Sequence, residues 1–134
     1  MKHIKSKSIF ESKYDRHKEL QNDILDTIRD ILLEANDIDI KTNVYKTKLY
    51  KNKAVIALTP HKNTRIRFND IEDVIDRILE YLKMNSCIHI SMSMDDHIII
   101  NDADERFHID TYRKRYIPVT MRGCVIYFSL PTGL

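Results

Sequence analysis

Glycine is almost missing from this chain: only Gly123 and Gly133 occur in 134 residues, both near the C-terminal end. Loops that cradle phosphates need glycine where the backbone closes on the ligand. A Walker loop and a dinucleotide-binding fingerprint are therefore both excluded. Nor does any serine stand in a Gly-x-Ser-x-Gly elbow. There is no run of eighteen apolar residues and no signal-peptide pattern, which predicts no membrane association and a cytoplasmic location. Cysteine is scarce as well. Cys87 and Cys124 lie in apolar, strand-like runs without CxxC spacing, which predicts buried, reduced thiols; nothing in their spacing supports a disulfide. Neither has a positive helix end beside it to activate it as a nucleophile.

What the chain does contain is ordinary in bulk and uneven in distribution. Its apolar fraction of 43% and charged fraction of 31% suit one globular domain large enough to bury a core. We assign that domain to residues 9–134, behind a basic tail over 1–8 that carries Lys2, Lys5 and Lys7. The net charge of +2 is uninformative, but its placement is not: eight Lys and Arg and no acid lie between Lys41 and Arg67, and the sign reverses over Asn69–Glu80.

The clearest element is a helix over Asn69–Leu82. Ile71, Val74, Ile75, Ile78, Leu79 and Leu82 recur at three- and four-residue steps, with acids on the opposite side. Asn69 and Glu72 have the spacing of a capping box. A second helix is predicted from about residue 9 to 35, roughly 40 Å long at 1.5 Å per residue. Its first two turns would project, or the helix would break near Asn22. Asp23-Ile24-x-Asp26-x-Ile28-x-x-Ile31-Leu32 aligns without a gap on Asp70-Ile71-x-Asp73-x-Ile75-x-x-Ile78-Leu79. Each is followed by alternating apolar runs, so two tandem α-β-β units are one reading and two similar acidic helices the other.

The remaining segments read as strands: 38–48 and 53–59 around a turn at 50–52, then 87–94 and 97–100 around Asp95-Asp96. In 87–94 the alternation puts Ile88, Ile90, Met92 and Met94 on one side and Cys87, His89, Ser91 and Ser93 on the other. Residues 117–121 and 124–130 are expected to close as a hairpin over Arg122-Gly123. The order predicts an α+β fold of two layers, with two helices on one face of a mostly antiparallel sheet.

Three patterns point toward chemistry. Tyr45, Lys46, Lys48, Tyr50, Lys51 and Lys53 interleave rings and cations; Arg65 and Arg67 follow, and Tyr112, Arg113, Lys114, Arg115 and Tyr116 repeat the mixture. Such a set can anchor a protein interface, or neutralise phosphates while tyrosines stack on unpaired bases. Lysines on a hairpin also keep exposed strand edges from pairing, without any ligand. Asn101–Asp110 is rich in carboxylates, but Arg106 and the missing glycine spoil it as a calcium loop, and no metal or other cofactor is expected. Finally, His89-Ile90-Ser91-Met92 resembles the repeated motif of two-histidine phosphoesterases. That resemblance would imply an imidazole acting on a phosphodiester. The second copy is absent, because His108-Ile109-Asp110 has Asp where Ser or Thr belongs.

More broadly, a long acidic helix, an Ile-, Lys- and Tyr-rich hairpin and the DIEDVIDRILEYL helix resemble small α+β proteins encoded by bacteriophages. The resemblance implies a non-enzymatic accessory or host-inhibitor role, in the host cytoplasm or the virion. The sequence thus leads us to expect a binding protein that contacts a larger protein partner through its basic, tyrosine-bearing surface. RNA or DNA as the ligand is the alternative and phosphodiester hydrolysis a more distant one, with a homodimer left open.

Overall fold

A computed structural model describes residues 2–36, 39–50, 52–61, 64–101 and 116–132, with α1 side chains described at 16 and 18–35. The element order is α1 (Lys2–Asn36), β1 (Ile40–Lys46), β2 (Lys53–Pro60), β3 (Ile66–Arg67), α2 (Phe68–Met84), β4 (Ile88–Met94), β5 (His97–Ile100), β6 (Thr120–Met121) and β7 (Cys124–Ser129). Five strands form one sheet in the order β1-β2-β7-β4-β5, and β3 pairs with β6 in a small second sheet. Every described pairing is antiparallel.

The fold follows from apolar periodicity. All six residues of the α2 stripe, Ile71 to Leu82, are buried. On α1, Ile24, Leu25, Ile28, Leu32 and Ala35 recur at helical spacing and are buried too. The sheet offers them one face: Ile40 and Val44 of β1, Ala54, Ile56 and Leu58 of β2, Cys124, Ile126 and Phe128 of β7, and Met92 and Met94 of β4. These residues and both helix stripes make one core, each large side chain contributing roughly 1.5–3 kcal/mol by leaving water. The two helices are also joined directly, as Arg77 donates through both Nη atoms to the Glu34 carboxylate. That hydrogen bond holds the Glu34 carboxyl below its ordinary range. The result is the two-layer α+β architecture. Each helix leads into an antiparallel hairpin, β1-β2 after α1 and β4-β5 after α2, and β7 is inserted between the two hairpins.

Several local expectations are corrected. Residues 2–8, expected as a basic tail, are helical: the helix begins at Lys2 and runs unbroken past Asn22, and residues 2–36 contain neither glycine nor proline. At 35 residues it is about 52 Å long. It is also heavily charged, and among the described residues no helix is long and apolar enough to cross a membrane. Asn69 does not cap α2. The helix starts one residue earlier, Arg67 at its N-cap makes no side-chain bond, and the Phe68 amide donates instead to the Val119 carbonyl at 3.0 Å.

The expected hairpin over Arg122-Gly123 does not form either. β6 pairs with β3, Ile66 opposite Met121, while β7 joins the main sheet. The turn is pinned by Asp95, whose Oδ1 accepts the amides of Arg122 (2.7 Å) and Gly123 (3.2 Å). On the outer strand β1, Arg29 of α1 donates to the Val44 carbonyl at 3.2 Å, which occupies a group that an edge strand would otherwise offer to another chain.

The correction that matters most for the site is in β4. Ile88 lies opposite Ser129 and Ser91 opposite Tyr127, so three residue steps on β4 match two on β7. One extra residue is therefore inserted, a β-bulge, with His89 left-handed at φ 54°. The bulge shifts the alternation by one. Cys87 turns inward, and Ile88, expected in the core, is 57% exposed.

Candidate functional site

The second face of the sheet points away from the helices. One row of side chains crosses it by strand pairing: Tyr45 opposite Val55, Val55 opposite Tyr127, and Tyr127 opposite Ser91. Val55 is only 3% exposed, as expected for a small residue flanked by two rings across the strands. The next row toward the β1-β2 connection is Lys53, Ser129 and Ile88. These two rows, with His89 at the bulge, form the floor of a groove.

The other wall is the β1-β2 connection itself. Thr47 closes it by donating its amide to the Lys53 carbonyl (2.9 Å) and its hydroxyl to the Tyr50 carbonyl (3.0 Å). Asn52 provides the left-handed residue of the turn, at φ 69°, a conformation Asn adopts more readily than most side chains. A buried amide then fixes this loop to the body of the fold. Gln21 of α1 donates Nε2 to Asn52 Oδ1 (2.9 Å) and to the Pro131 carbonyl (3.1 Å), and its Oε1 accepts from Lys46 Nζ at 2.8 Å. Among the described residues it is the one buried polar side chain, at 7% exposure. Three hydrogen bonds satisfy it, which is the condition for burying an amide at all.

Between the loop and the sheet lies a cavity of about 760 Å³, lined by Tyr45, Tyr50 and Tyr127, Lys48 and Lys53, and His89 and Ser91. A second concavity of about 670 Å³ adjoins it, sharing Lys53, His89 and Ser129 and adding Ile88, Leu130, Pro131, Asn52 and Asn85. Among the described residues, no aspartate or glutamate lines either. Lys53 Nζ stands 4.9 Å from the Tyr50 ring centre, a cation–π contact that holds the ammonium at the groove wall. His89 is exposed, and its left-handed backbone costs roughly 1–3 kcal/mol, strain that tends to gather where a side chain must be aimed.

The basic positions singled out from sequence do not form one surface. Tyr45, Lys48, Tyr50 and Lys53 meet at the groove. Lys46 lines it too, but its ammonium is held by Gln21. Arg65 is at the far end of the sheet, where it donates to Thr120 Oγ1 at 3.0 Å and sits 3.7 Å from the Asp95 carboxylate. Arg67 caps α2 nearby. Tyr116 packs edge-on against His97, at 5.3 Å between ring centres, beside the Asp95-Asp96 turn. Lys51 and Tyr112, Arg113, Lys114 and Arg115 lie outside the described residues, as does the carboxylate-rich segment from Asp102 to Asp110.

Tyr127, Ser129 and Gln21 were not singled out from sequence. Strict alternation in β7 identifies Tyr127 and Ser129, because Ile126 and Phe128 face the core. Gln21 gives no such signal, since its partners are 31 and 110 residues away. Comparison with protein-family models, curated proteins and solved structures finds no match for this chain, so the site is read from its own geometry.

The groove volume is in the range of small-ligand sites, and among the described residues its lining combines lysines and tyrosines without a carboxylate. Covalent chemistry at cysteine has no support here. Burial pushes the Cys87 thiol up to about 11 and the Cys124 thiol up to about 12, so neither supplies a thiolate at neutral pH.

Proposed function

We propose that this protein binds single-stranded nucleic acid along the groove between the β1-β2 connection and the open face of the sheet. The observation that carries the reading is the groove lining: three tyrosines and three lysines, one of them held by Gln21, around a strained histidine, with no acid among the described residues. Lysines neutralise phosphates whatever the base, and tyrosine rings stack on any base that is unpaired. A duplex hides its base faces, so this chemistry selects single strands. The phosphodiesterase alternative draws on His89 and Ser91, but it calls for two facing imidazoles, and His89 is the one histidine among the described residues that line the groove.

Binding of fluorescent single-stranded and duplex oligonucleotides, followed by anisotropy at low salt, tests the reading. Saturable binding with a preference for the single strand is expected. Equal affinity for both forms would reduce the site to a phosphate-binding edge, and no binding of either would remove nucleic acid altogether.

A second reading rests on Leu49, which is 88% exposed at the loop tip beside the exposed Tyr50. An aliphatic and an aromatic group at a rigid tip could anchor a larger protein partner, as an accessory or inhibitory protein of the bacteriophage type would use. Leu49→Ser separates the two readings. It leaves the lysines and tyrosines of the groove in place and removes the tip anchor, so affinity for a protein partner should fall far more than affinity for nucleic acid, which loses one apolar contact of the lining.

A further inference from the structure

We infer that the groove is a two-nucleotide site: one base in the tyrosine-lined lobe, a second in the lobe beside Ile88, and the phosphate between them at Lys53, Ser129 and His89. This rests on the nucleic-acid reading above and specifies what that site takes. The two cavities, about 760 and 670 Å³, are separate concavities that share only those three residues. Each is large enough for a base and its sugar.

The shared residues have the chemistry of a phosphate seat. Strand pairing puts Lys53 directly opposite Ser129, and Ser129 opposite Ile88. A cation and a hydroxyl thus stand side by side across two strands, with the bulged His89 next in the chain. The His89 imidazole borders both lobes, and the bulge beside it, with His89 at φ 54°, turns Ile88 out onto the second. A single strand alternates base, phosphate, base, and the lining alternates in the same sense.

The lobes differ in kind. The first has tyrosine faces for stacking. The second has the exposed Ile88 beside Pro131, together with the side-chain amides of Asn52 and Asn85, which suit an apolar base face and a polar base edge. Asn52 is held in place by Gln21 and Asn85 by its bond to the Tyr81 carbonyl at 2.8 Å, so both amides are oriented before a ligand arrives.

The test uses the intact protein with adenosine monophosphate, the dinucleoside monophosphate ApA, its uncharged methylphosphonate analogue and longer oligoadenylates at one salt concentration. The expected result is a gain of about tenfold from one nucleotide to two, with less than about threefold for each nucleotide added after that. The methylphosphonate should lose most of that gain. In Ile88→Ala, a change at an exposed site that leaves the core intact, the gain from the mononucleotide to ApA should shrink. ApA, unlike the mononucleotide, should shift the backbone amide resonances of Ile88 and Leu130. Equal affinity for the mononucleotide and ApA would overturn the inference and leave the nucleic-acid reading standing. So would a uniform increment up to six nucleotides. Failure of every length to bind would instead overturn the nucleic-acid reading itself.

Discussion

The two ends of the main sheet carry similar numbers of cations and treat them in opposite ways. At the loop end, Lys48 and Lys53 line concavities that contain no carboxylate among the described residues. At the far end, Arg65 meets Asp95, His61 Nε2 lies 3.4 Å from Asp39, and a pocket of about 200 Å³ lines Arg65 and Arg67 together with Asp39 and Asp70. One continuous basic run in sequence supplies both ends, because β2 carries the chain from one to the other. Its eight residues span about 23 Å, well beyond the roughly 8 Å screening length at physiological salt. The ends are therefore electrically separate, and among the described residues the concavities at the loop end gather lysines without acids, whereas the pocket at the far end mixes both signs. Charge counted along the chain does not measure a binding surface; charge left uncompensated in a concavity does.

That contrast can be broken most severely through the core that both ends share. Phe128 is buried beneath the groove, and Phe128→Ala should cost about 3–5 kcal/mol in urea unfolding, weakening both ends together. The Gln21 clamp acts at one end. Gln21→Ala removes three hydrogen bonds around a buried site and should lower stability by about 1–3 kcal/mol. Amide exchange should rise in the β1-β2 connection and stay unchanged near Asp95. Loss of stability without that local pattern would make Gln21 merely a buried amide.

A pair of ring deletions sharpens the comparison further. Tyr127→Ala at the groove should weaken single-strand binding by about 1–3 kcal/mol, whereas Tyr116→Ala at the far end should leave it unchanged. A further contrast concerns the thiols, one near each end. Both are raised by burial above the ordinary value of 9.0, Cys87 to about 11 and Cys124 to about 12. A raised folded value stabilises the protein fully below pH 9. Stability should therefore decline as pH rises from about 9 toward 11–12, and Cys87→Ala and Cys124→Ala should each flatten that alkaline limb.

Legibility in the sequence tracks how local each physical cause is. Helix α2 was readable because its six-residue apolar stripe repeats within one segment, and all six are buried. The α+β order and the Asp95-Asp96 turn were readable for the same reason. Strand β3 was not, since two residues are too few to show a period, and β6, inside the strand expected over 117–121, pairs with β3 rather than with β7. Nor was the bulge at His89: its single inserted residue is set by pairing with β7, and a one-residue slip moves every side chain before it to the other face. At the site, Tyr45, Lys48, Tyr50 and Lys53 were legible as a mixed basic and aromatic hairpin. The groove they line required Tyr127, His89 and Ser129 from strands over thirty residues away, and the division of the basic run required the direction of β2.

The most direct measurement is the salt dependence of single-strand binding in two variants that remove equal charge at opposite ends, Lys48→Ala with Lys53→Ala, and Lys41→Ala with Arg65→Ala. With two lysine–phosphate contacts, the wild-type plot of log K against log salt should have a slope of about −1.4. The loop-end variant should bring that slope close to zero and lose at least about tenfold in affinity. The far-end variant should keep the slope and stay within about twofold of wild type. Equal losses in both variants would mean that net charge alone attracts the ligand, and the acid-free groove would have no special part in binding.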